Sequence, residues 1–339
     1  MKAGIYSPYL DTLGGGERYL AGVIAALTLR GYEVDVEWPD ASIKKKLEER
    51  FNVKLKCNIV PSIERGDNYD VCFWVSDGSI PALKARRNML HFQVPFHGTH
   101  GRSLINKMKL WRVTCVCNSQ FTKSIIDKEY GVDSVVIYPP IDTESFKPKK
   151  KTRMILYVGR FSNLMQSKRQ DVLIDAFKKI KVSYPEWKLV LAGGEEVGAE
   201  QEVARLTALA RGVEIEIVQS PSFSQIKDLY GKATIFWSAA GFEVDANKYP
   251  EKMEHFGMSV VEGMSAGALP IVFNGGGFKE IVSHGKTGIL WDTKDELIRF
   301  TKSIIKEKEY LEKIALAAQE RAQTFSYSAF NEHLNALLQ

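Results

Sequence analysis

Two successive series of short apolar runs, each alternating with segments of helical period, constrain the fold of this chain more than any other feature. In the first series AGIYSP reads as a strand, followed by a glycine turn and a helix over about Glu17 to Arg30. YEVDVEW, YDVCFWVS, RNMLHF, VTCVCNS and SVVIYPP read as further strands, and Asn118-Ser119 suits the N-cap of a helix over FTKSIIDKEY. Pro139-Pro140 and the run Lys147-Pro148-Lys149-Lys150-Lys151 interrupt the pattern as a linker would. It then restarts, with strands at MILYVGRF, KLVLAGG, VEIEIV, TIFWSA, LPIVFN and GILW. Helices fit Gln170–Lys181, Gly198–Arg211, Ser224–Lys232, Gly257–Ala266 and Phe278–Ser283, and a helical tail from Lys294 to Gln339 breaks near Phe325-Ser326. Strand–helix alternation implies parallel sheets covered on both faces. The expected class is therefore α/β, with two Rossmann-like, doubly wound domains facing across a cleft. A length of 339 residues agrees with two domains at about 150 residues each.

Composition narrows the function classes. No run approaches the roughly 18 apolar residues of a bilayer-spanning helix. MKAGIYSPYL enters a strand directly, without the apolar core and cleavage site of a signal peptide, so a cytoplasmic protein is expected. Cys57, Cys72, Cys115 and Cys117 form no CxxC pair. Cys115 and Cys117 should share one strand face, and buried free thiols are expected. The net charge of +5 comes wholly from residues 1–150, with 22 Lys+Arg against 17 Asp+Glu; residues 151–339 carry 24 of each. Lys44-Lys45-Lys46 and Arg86-Arg87 belong to this excess. It reads as solvated surface or as a face for an anionic partner: a lipid phosphate, a membrane or an acidic acceptor. Nucleic acid is not expected, because no basic stretch is interleaved with aromatic residues.

Four groups of residues could carry chemistry. Glu254-His255-Phe256-Gly257-Met258-Ser259-Val260-Val261-Glu262 sets two carboxylates eight positions apart around a glycine that can open a helix. Eight helical residues rise about 12 Å, close to the span from the sugar of a nucleotide-sugar to its ribose. A diphosphate between them would lie at a helix N-terminus, which favours anions. Arg160, at the end of the first strand of the second series, and Lys168, before the next helix, could neutralise that diphosphate as it leaves. Gly14-Gly15-Gly16 follows the first strand and lets backbone approach a phosphate or sugar. Tyr19 stands where a dinucleotide fingerprint needs its third glycine, although Glu37 lies at a suitable distance downstream. His91, His97 and His100 lack companion ligands at metal spacing; one at a cleft mouth could bind a sugar hydroxyl. Asn274-Gly275-Gly276-Gly277 offers a second anion-friendly turn. No Asp-x-Asp pair occurs, so no metal-bridged diphosphate and no cofactor are expected.

On GGGERY, CNSQFTKSII, VIYPPIDTESF, ILYVGRF with Lys168, LVLAGG and EHFGMSVVEGMSAGALPIVFNGGGFKEIV with HGKTGIL, nearly the whole chain resembles the retaining glycosyltransferases of family 4, which have the GT-B fold. The resemblance implies an acceptor-binding domain over 1–148, a nucleotide-sugar-binding domain over 149–322, and a helix over 323–339 returning to the first. It implies that Glu254 faces the donor sugar and Glu262 the ribose, with Arg160 and Lys168 on the diphosphate. Gly15, Gly16, Gly257, Met258 and Ser259 would complete the donor site. His91 is the family's acceptor-side histidine by this match, although HFQVP separates it from its proline; His97, Glu243 and Asp245 are further acceptor candidates. EHFGMSVVEGM is most similar to mannosyltransferases and bacterial surface-glycan transferases, which favours GDP-mannose over a UDP-hexose. The acceptor would be a glycan or polyprenyl-linked sugar, met at the inner membrane face. A sugar-nucleotide epimerase, a non-catalytic nucleotide-sugar binder and an NAD-dependent enzyme are the rival readings.

Overall fold

The computed structural model describes residues 1–162, 168–194 and 198–339, and the chain divides into two units, Met1–Pro140 with Tyr327–Gln339, and Ile141–Ser326. The first holds β1 (Lys2–Tyr6), α1 (Gly15–Leu29), β2 (Glu33–Glu37), α2 (Ser42–Phe51), β3 (Asn58–Val60), β4 (Val71–Val75), β5 (Arg87–Phe92), α3 (Leu104–Leu110), β6 (Val113–Cys117), α4 (Gln120–Tyr130) and β7 (Val135–Val136). Its seven strands are all parallel, in the order β3-β2-β1-β4-β5-β6-β7. The order reverses direction between β1 and β4, the topological switch point of a doubly wound sheet. The chain's last helix, Tyr327–Leu337, returns to pack on α1; Arg30 donates to the Asn335 side chain at 2.9 Å and Phe330 meets Tyr19 edge-on.

The second unit holds β8 (Thr152–Val158), α5 (Gln170–Lys181), β9 (Lys188–Gly193), α6 (Glu200–Ala210), β10 (Ile215–Gln219), α7 (Phe223–Lys232), β11 (Ala233–Ser238), α8 (Met258–Ser265), β12 (Leu269–Phe273), α9 (Phe278–Ile281), β13 (Ile289–Trp291), α10 (Lys294–Lys306) and α11 (Lys308–Gln323). Its parallel sheet runs β10-β9-β8-β11-β12-β13, with the switch between β8 and β11. The central strands read as unbroken apolar runs because helices cover both faces; Ile155, Leu156, Leu189, Val190, Leu191 and Ala192 are fully buried. The two-domain, parallel-sheet α/β expectation holds. The named strands and helices fall close to their sequence positions, and Ser119 caps α4 by accepting from the Thr122 N–H at 3.0 Å.

Three elements had no strand or helix reading in the sequence. α2 absorbs the lysine run: Ile43 and Leu47 face inward, Lys45 pairs with Glu49 across one turn at 3.7 Å, and Lys44 donates to the Cys57 carbonyl. β3 is an edge strand of three residues, and α3 is a seven-residue helix before β6. The change of unit comes at Pro140, eight residues before the expected boundary of 148. The intervening segment is tied to the second unit: Ile141 N–H donates to the Phe325 carbonyl, Ser265 Oγ donates to the carbonyls of Thr143 and Phe146, and Phe146 packs edge-on against Tyr230. The return comes at Tyr327 instead of 323. Cys72, Cys115 and Cys117 are buried free thiols, as expected; Cys57 is half-buried.

Candidate active site

In the second unit the sequence-predicted residues converge at the switch between β8 and β11. Strand β8 ends at Val158, and the chain continues past β9 through Gly159 N–H to the Ala192 carbonyl and Phe161 N–H to the Gly194 carbonyl. Arg160, between them, is exposed, and its carbonyl accepts from the Gln170 side chain at 3.1 Å. Lys168 lies just before α5, and its ammonium donates to Glu254 Oε2 at 2.8 Å. The two side chains are only 14% and 18% exposed. Glu254 reaches the same place from the loop after β11. Two strands adjacent in the sheet, whose ends are 80 residues apart in sequence, thus bring a cation and a carboxylate together. Tyr157 lies beneath them. Burial holds its phenol well above the usual range, and the Glu254 charge adds to this.

The loop from Glu254 to Gly257 is not helical. Gly257 takes φ 114° and ψ 53°, and α8 starts at Met258. The helical rise expected over all eight residues therefore applies only from Met258 to Glu262, about 6 Å. The correction follows from the left-handed turn that Gly257 alone among the common residues adopts cheaply. The Val260 N–H bonds the Gly257 carbonyl at 3.0 Å, so Met258 and Ser259 form the helix mouth, where N–H groups have no partner within the helix. Glu262 is 6% exposed and accepts from the Tyr230 hydroxyl at 2.7 Å. Tyr230 had no place in the sequence reading; an aromatic in an amphipathic helix gives no sign of whom its hydroxyl meets.

The Asn274–Gly277 turn has a different role from the one its composition suggested. A Cβ on Gly276 would lie 2.2 Å from the Glu254 carbonyl oxygen, and one on Gly277 would lie 2.5 Å from Phe256 Cα. The Gly277 N–H donates to the Glu254 carbonyl at 2.8 Å. These glycines seat the backbone that carries Glu254. Arg169, with φ 51°, donates to the Phe242 carbonyl and to Glu243, and lies over the Phe242 ring. Glu243 is thus ion-paired at 2.8 Å and pins its own loop to the start of α5. The Asp245 carboxylate accepts from the Asn247 N–H within the same loop.

In the first unit, Gly15 and Gly16 open α1 after β1. Glu17 Oε2 accepts from the Gly14 N–H at 2.7 Å and from the Thr12 hydroxyl at 2.8 Å, closing the turn. Gln93 Nε2 donates to the Gly16 carbonyl, and a Cβ on Gly16 would lie 1.9 Å from Gln93 Oε1. Asn118 in turn donates to the Gln93 carbonyl at 3.0 Å. Gln93 is a site neighbour the sequence reading missed; its signal was its place two residues beyond His91, just past the end of β5. His97 is exposed on the following loop.

His91 departs from expectation. It is the fifth residue of β5, paired in register with Val75 and Val116, and is 0% exposed. Its ring stacks on Tyr19 at 4.2 Å and lies 5.3 Å from Phe73, and burial pushes its pKa down to about 3. Placed there, the imidazole offers no surface to a substrate. The physical reason is the cover on its side of the sheet: Tyr19 of α1 lies over the ring and Phe73 of the neighbouring strand lies beside it, so the end of β5 is buried and is not a mouth.

Among the described residues, no three His, Cys, Asp or Glu side chains are grouped to hold a metal ion, and no helix is long and apolar enough to cross a membrane. Comparison with known proteins identifies relatives. The chain is 28% identical over 240 residues to the GDP-Man:Man(3)GlcNAc(2)-PP-Dol alpha-1,2-mannosyltransferase of Dictyostelium discoideum, covering 66% of this chain and 45% of that one. It spans between about a third and just over half of the length of this and other curated mannosyltransferase relatives. Among solved structures, Anabaena HepE in complex with UDP and glucose superposes with a TM-score of 0.77 at 20% identity, over 100% of this chain and 99% of that one. A glycosyltransferase from Rickettsia africae ESF-5 gives 0.78 at 19%, over 99% and 97%. These likenesses give the fold, GT-B with two Rossmann-like units. The model of the glycosyl transferases group 1 family matches residues 140–321, more than half of the sequence and nearly all of the second unit. With that match resting on the segment that carries Arg160, Lys168, Glu254 and Glu262, the chain belongs to the glycosyl transferases group 1 family.

Proposed function

We propose that the protein moves a hexose, with mannose from GDP-mannose favoured, from a nucleotide-sugar to a hydroxyl of a glycan or polyprenyl-linked sugar, with retention and without a metal. The observation that carries this reading is the 2.8 Å Lys168–Glu254 pair at the β8/β11 switch, just ahead of the α8 N-terminus. Open α/β sheets bind ligands at such switch points. In this reading Glu254 accepts from the donor sugar's hydroxyls, and Glu262 from the ribose. Lys168, Arg160 and the N–H groups of Met258 and Ser259 take the diphosphate, so that charge developing on the leaving group meets cations and a helix dipole already in place. The Lys168–Glu254 pair keeps both charges compensated until the diphosphate draws the ammonium away. The departing diphosphate helps remove the acceptor's proton, and the rate comes from positioning and charge stabilisation. Gly15 and Gly16 as donor contacts, and His97, Glu243 and Asp245 as acceptor contacts, are candidates carried over from the family resemblance. Mannose is favoured by the Dictyostelium relative, whose name specifies GDP-mannose and a dolichol-linked acceptor. A UDP-hexose is the second reading, favoured by the UDP and glucose in the HepE structure.

Thermal unfolding with GDP, GDP-mannose, UDP and UDP-glucose tests this. The right donor at about 100 times its Kd adds about 2.7 kcal/mol, or roughly 5–10 °C. Lys168→Ala should remove most of that shift. Glu254→Gln should lower transfer at least about 100-fold with the fold retained. If no nucleotide-sugar stabilises the chain, the reading fails. Turnover of donor alone, with no acceptor, would instead point to an epimerase, and donor binding with no nucleotide release to a non-catalytic binder.

A further inference from the structure

Four of the large apolar side chains that the first unit leaves in solvent cluster on and just after one short helix. On α3, Leu104 is 79% exposed, Ile105 66% and Met108 79%, and Trp111 directly after it is 82% exposed. At about 100° per residue these four span a sector of about 120°. Leu110 lies on the opposite side, buried with Phe92 and Tyr130, and Lys109 donates to the Ile80 carbonyl at 2.8 Å. The helix is therefore fastened by one face and presents the other, and Ser103 caps it by accepting from the Asn106 N–H. Ordinary solubility would place polar residues on the outer face.

Along the chain that builds this face the charge has one sign. From Gly78 to Ile126 the chain carries eight Lys+Arg and no Asp or Glu. Lys84, Arg86 and Lys123 are paired with aspartates from outside that stretch, Asp67, Asp70 and Asp127, and Glu129 accepts from the Thr99 hydroxyl on the loop before α3. Arg102, Lys107 and Arg112 border the apolar stripe itself. The Arg112 guanidinium lies 5.8 Å from the centre of the Trp111 ring, and the same arginine lines a hollow with Arg86 and Arg87. An apolar stripe ending in tryptophan, rimmed by cations and fastened from behind, has the chemistry of an element that lies in a lipid headgroup layer. Acyl chains take the apolar side chains, and anionic headgroups take the cations. Four side chains on two turns are also too small a patch for a stable dimer, which buries about 800 Å² per partner.

We propose that the outer face of α3 with Trp111, together with Arg102, Lys107 and Arg112, docks the protein on an anionic lipid bilayer. The experiment is flotation of the full chain with vesicles, read without donor or acceptor, so it stands or falls apart from the transferase reading. Vesicles of phosphatidylcholine with about 30% phosphatidylglycerol should carry the protein up, and pure phosphatidylcholine should bind it at least about tenfold more weakly. Met108→Ser with Trp111→Ser should lower binding to the anionic vesicles at least about tenfold. Both positions are exposed, so circular dichroism and the melting temperature should not change. Arg102→Ser with Lys107→Ser and Arg112→Ser should abolish the preference for anionic vesicles. Failure of the unaltered protein to float, equal binding to both vesicle types, or unaltered binding by the Met108/Trp111 variant would each overturn the proposal. So would sedimentation showing a dimer that this variant dissolves in a protein that ignores vesicles, since the stripe would then join two copies of the chain.

Discussion

Gly277→Ala separates the packing role of the glycine turn from any conformational one. Gly277 has φ −69°, an ordinary value for alanine, so the backbone itself resists nothing. Alanine there would even gain about 0.4–1 kcal/mol by restricting the unfolded chain. Opposing this, its Cβ would sit 2.5 Å from Phe256 Cα, 2.6 Å from the His255 oxygen and 2.7 Å from the Phe256 oxygen. All three are main-chain atoms, so no side chain can rotate aside, and the loop from Glu254 to Phe256 must move by nearly 1 Å. Overpacking of that kind costs about 1–3 kcal/mol, and the Gly277 N–H bond to the Glu254 carbonyl at 2.8 Å would add about 1 kcal/mol if lost. The net expectation is about 2–3 kcal/mol, or a fall in melting temperature of about 4–12 °C for a unit of this size. The displaced loop carries Glu254, so transfer should fall by up to about 100-fold even where the protein is fully folded. Gly31→Ala is the comparison: its φ of 79° strains alanine, but nothing lies within 4 Å of the added carbon. That variant should lose about 1 kcal/mol and no activity. Calorimetry and donor turnover check both. A Gly277→Ala protein that melts within 2 °C of the parent and turns over normally would refute the idea that this turn seats Glu254.

Tyr230→Phe removes a 2.7 Å donor to the buried Glu262 carboxylate and should cost about 1.5–3 kcal/mol in urea unfolding, with weaker nucleotide binding if Glu262 holds the ribose. His91 bears on pH. Its folded pKa, about 3, lies below the unfolded value near 6.5, so the unfolded chain binds the extra proton between these limits. Stability should therefore be whole above about pH 6.5 and fall as pH drops toward 3, by about 2 kcal/mol between pH 7 and pH 5. Melting curves across that range check it, and His91→Phe should flatten the dependence by that amount.

Much of the candidate site in the second unit was legible in the sequence. Residue type and spacing name Glu254, Gly257 and Glu262, because a helix start and its flanking carboxylates are local features. Arg160 and Lys168 stand out for the same reason, following a strand end and preceding a helix. His91 misled because its neighbourhood reads equally well as a strand's last turn or its interior. What decides between exposure and complete burial is the helix that covers that face, here α1 with Tyr19, and no local signal marks where a sheet's cover ends. The ion pair of Glu243 was not legible, because its partner, Arg169, is 74 residues away in sequence.

Alternation of period, the proline break and the glycine turns determined by themselves that this chain forms two parallel α/β units, since those features act within a few residues along the backbone. Tertiary structure alone decided that β8 and β11 lie side by side, and so that Lys168 meets Glu254. It also decided that the glycines after β12 cushion a loop instead of opening to a ligand, that Tyr230 finds Glu262, and that α3 turns its apolar face outward. Each of these depends on strand order and on which helix face is covered, both set by packing between segments far apart in the chain.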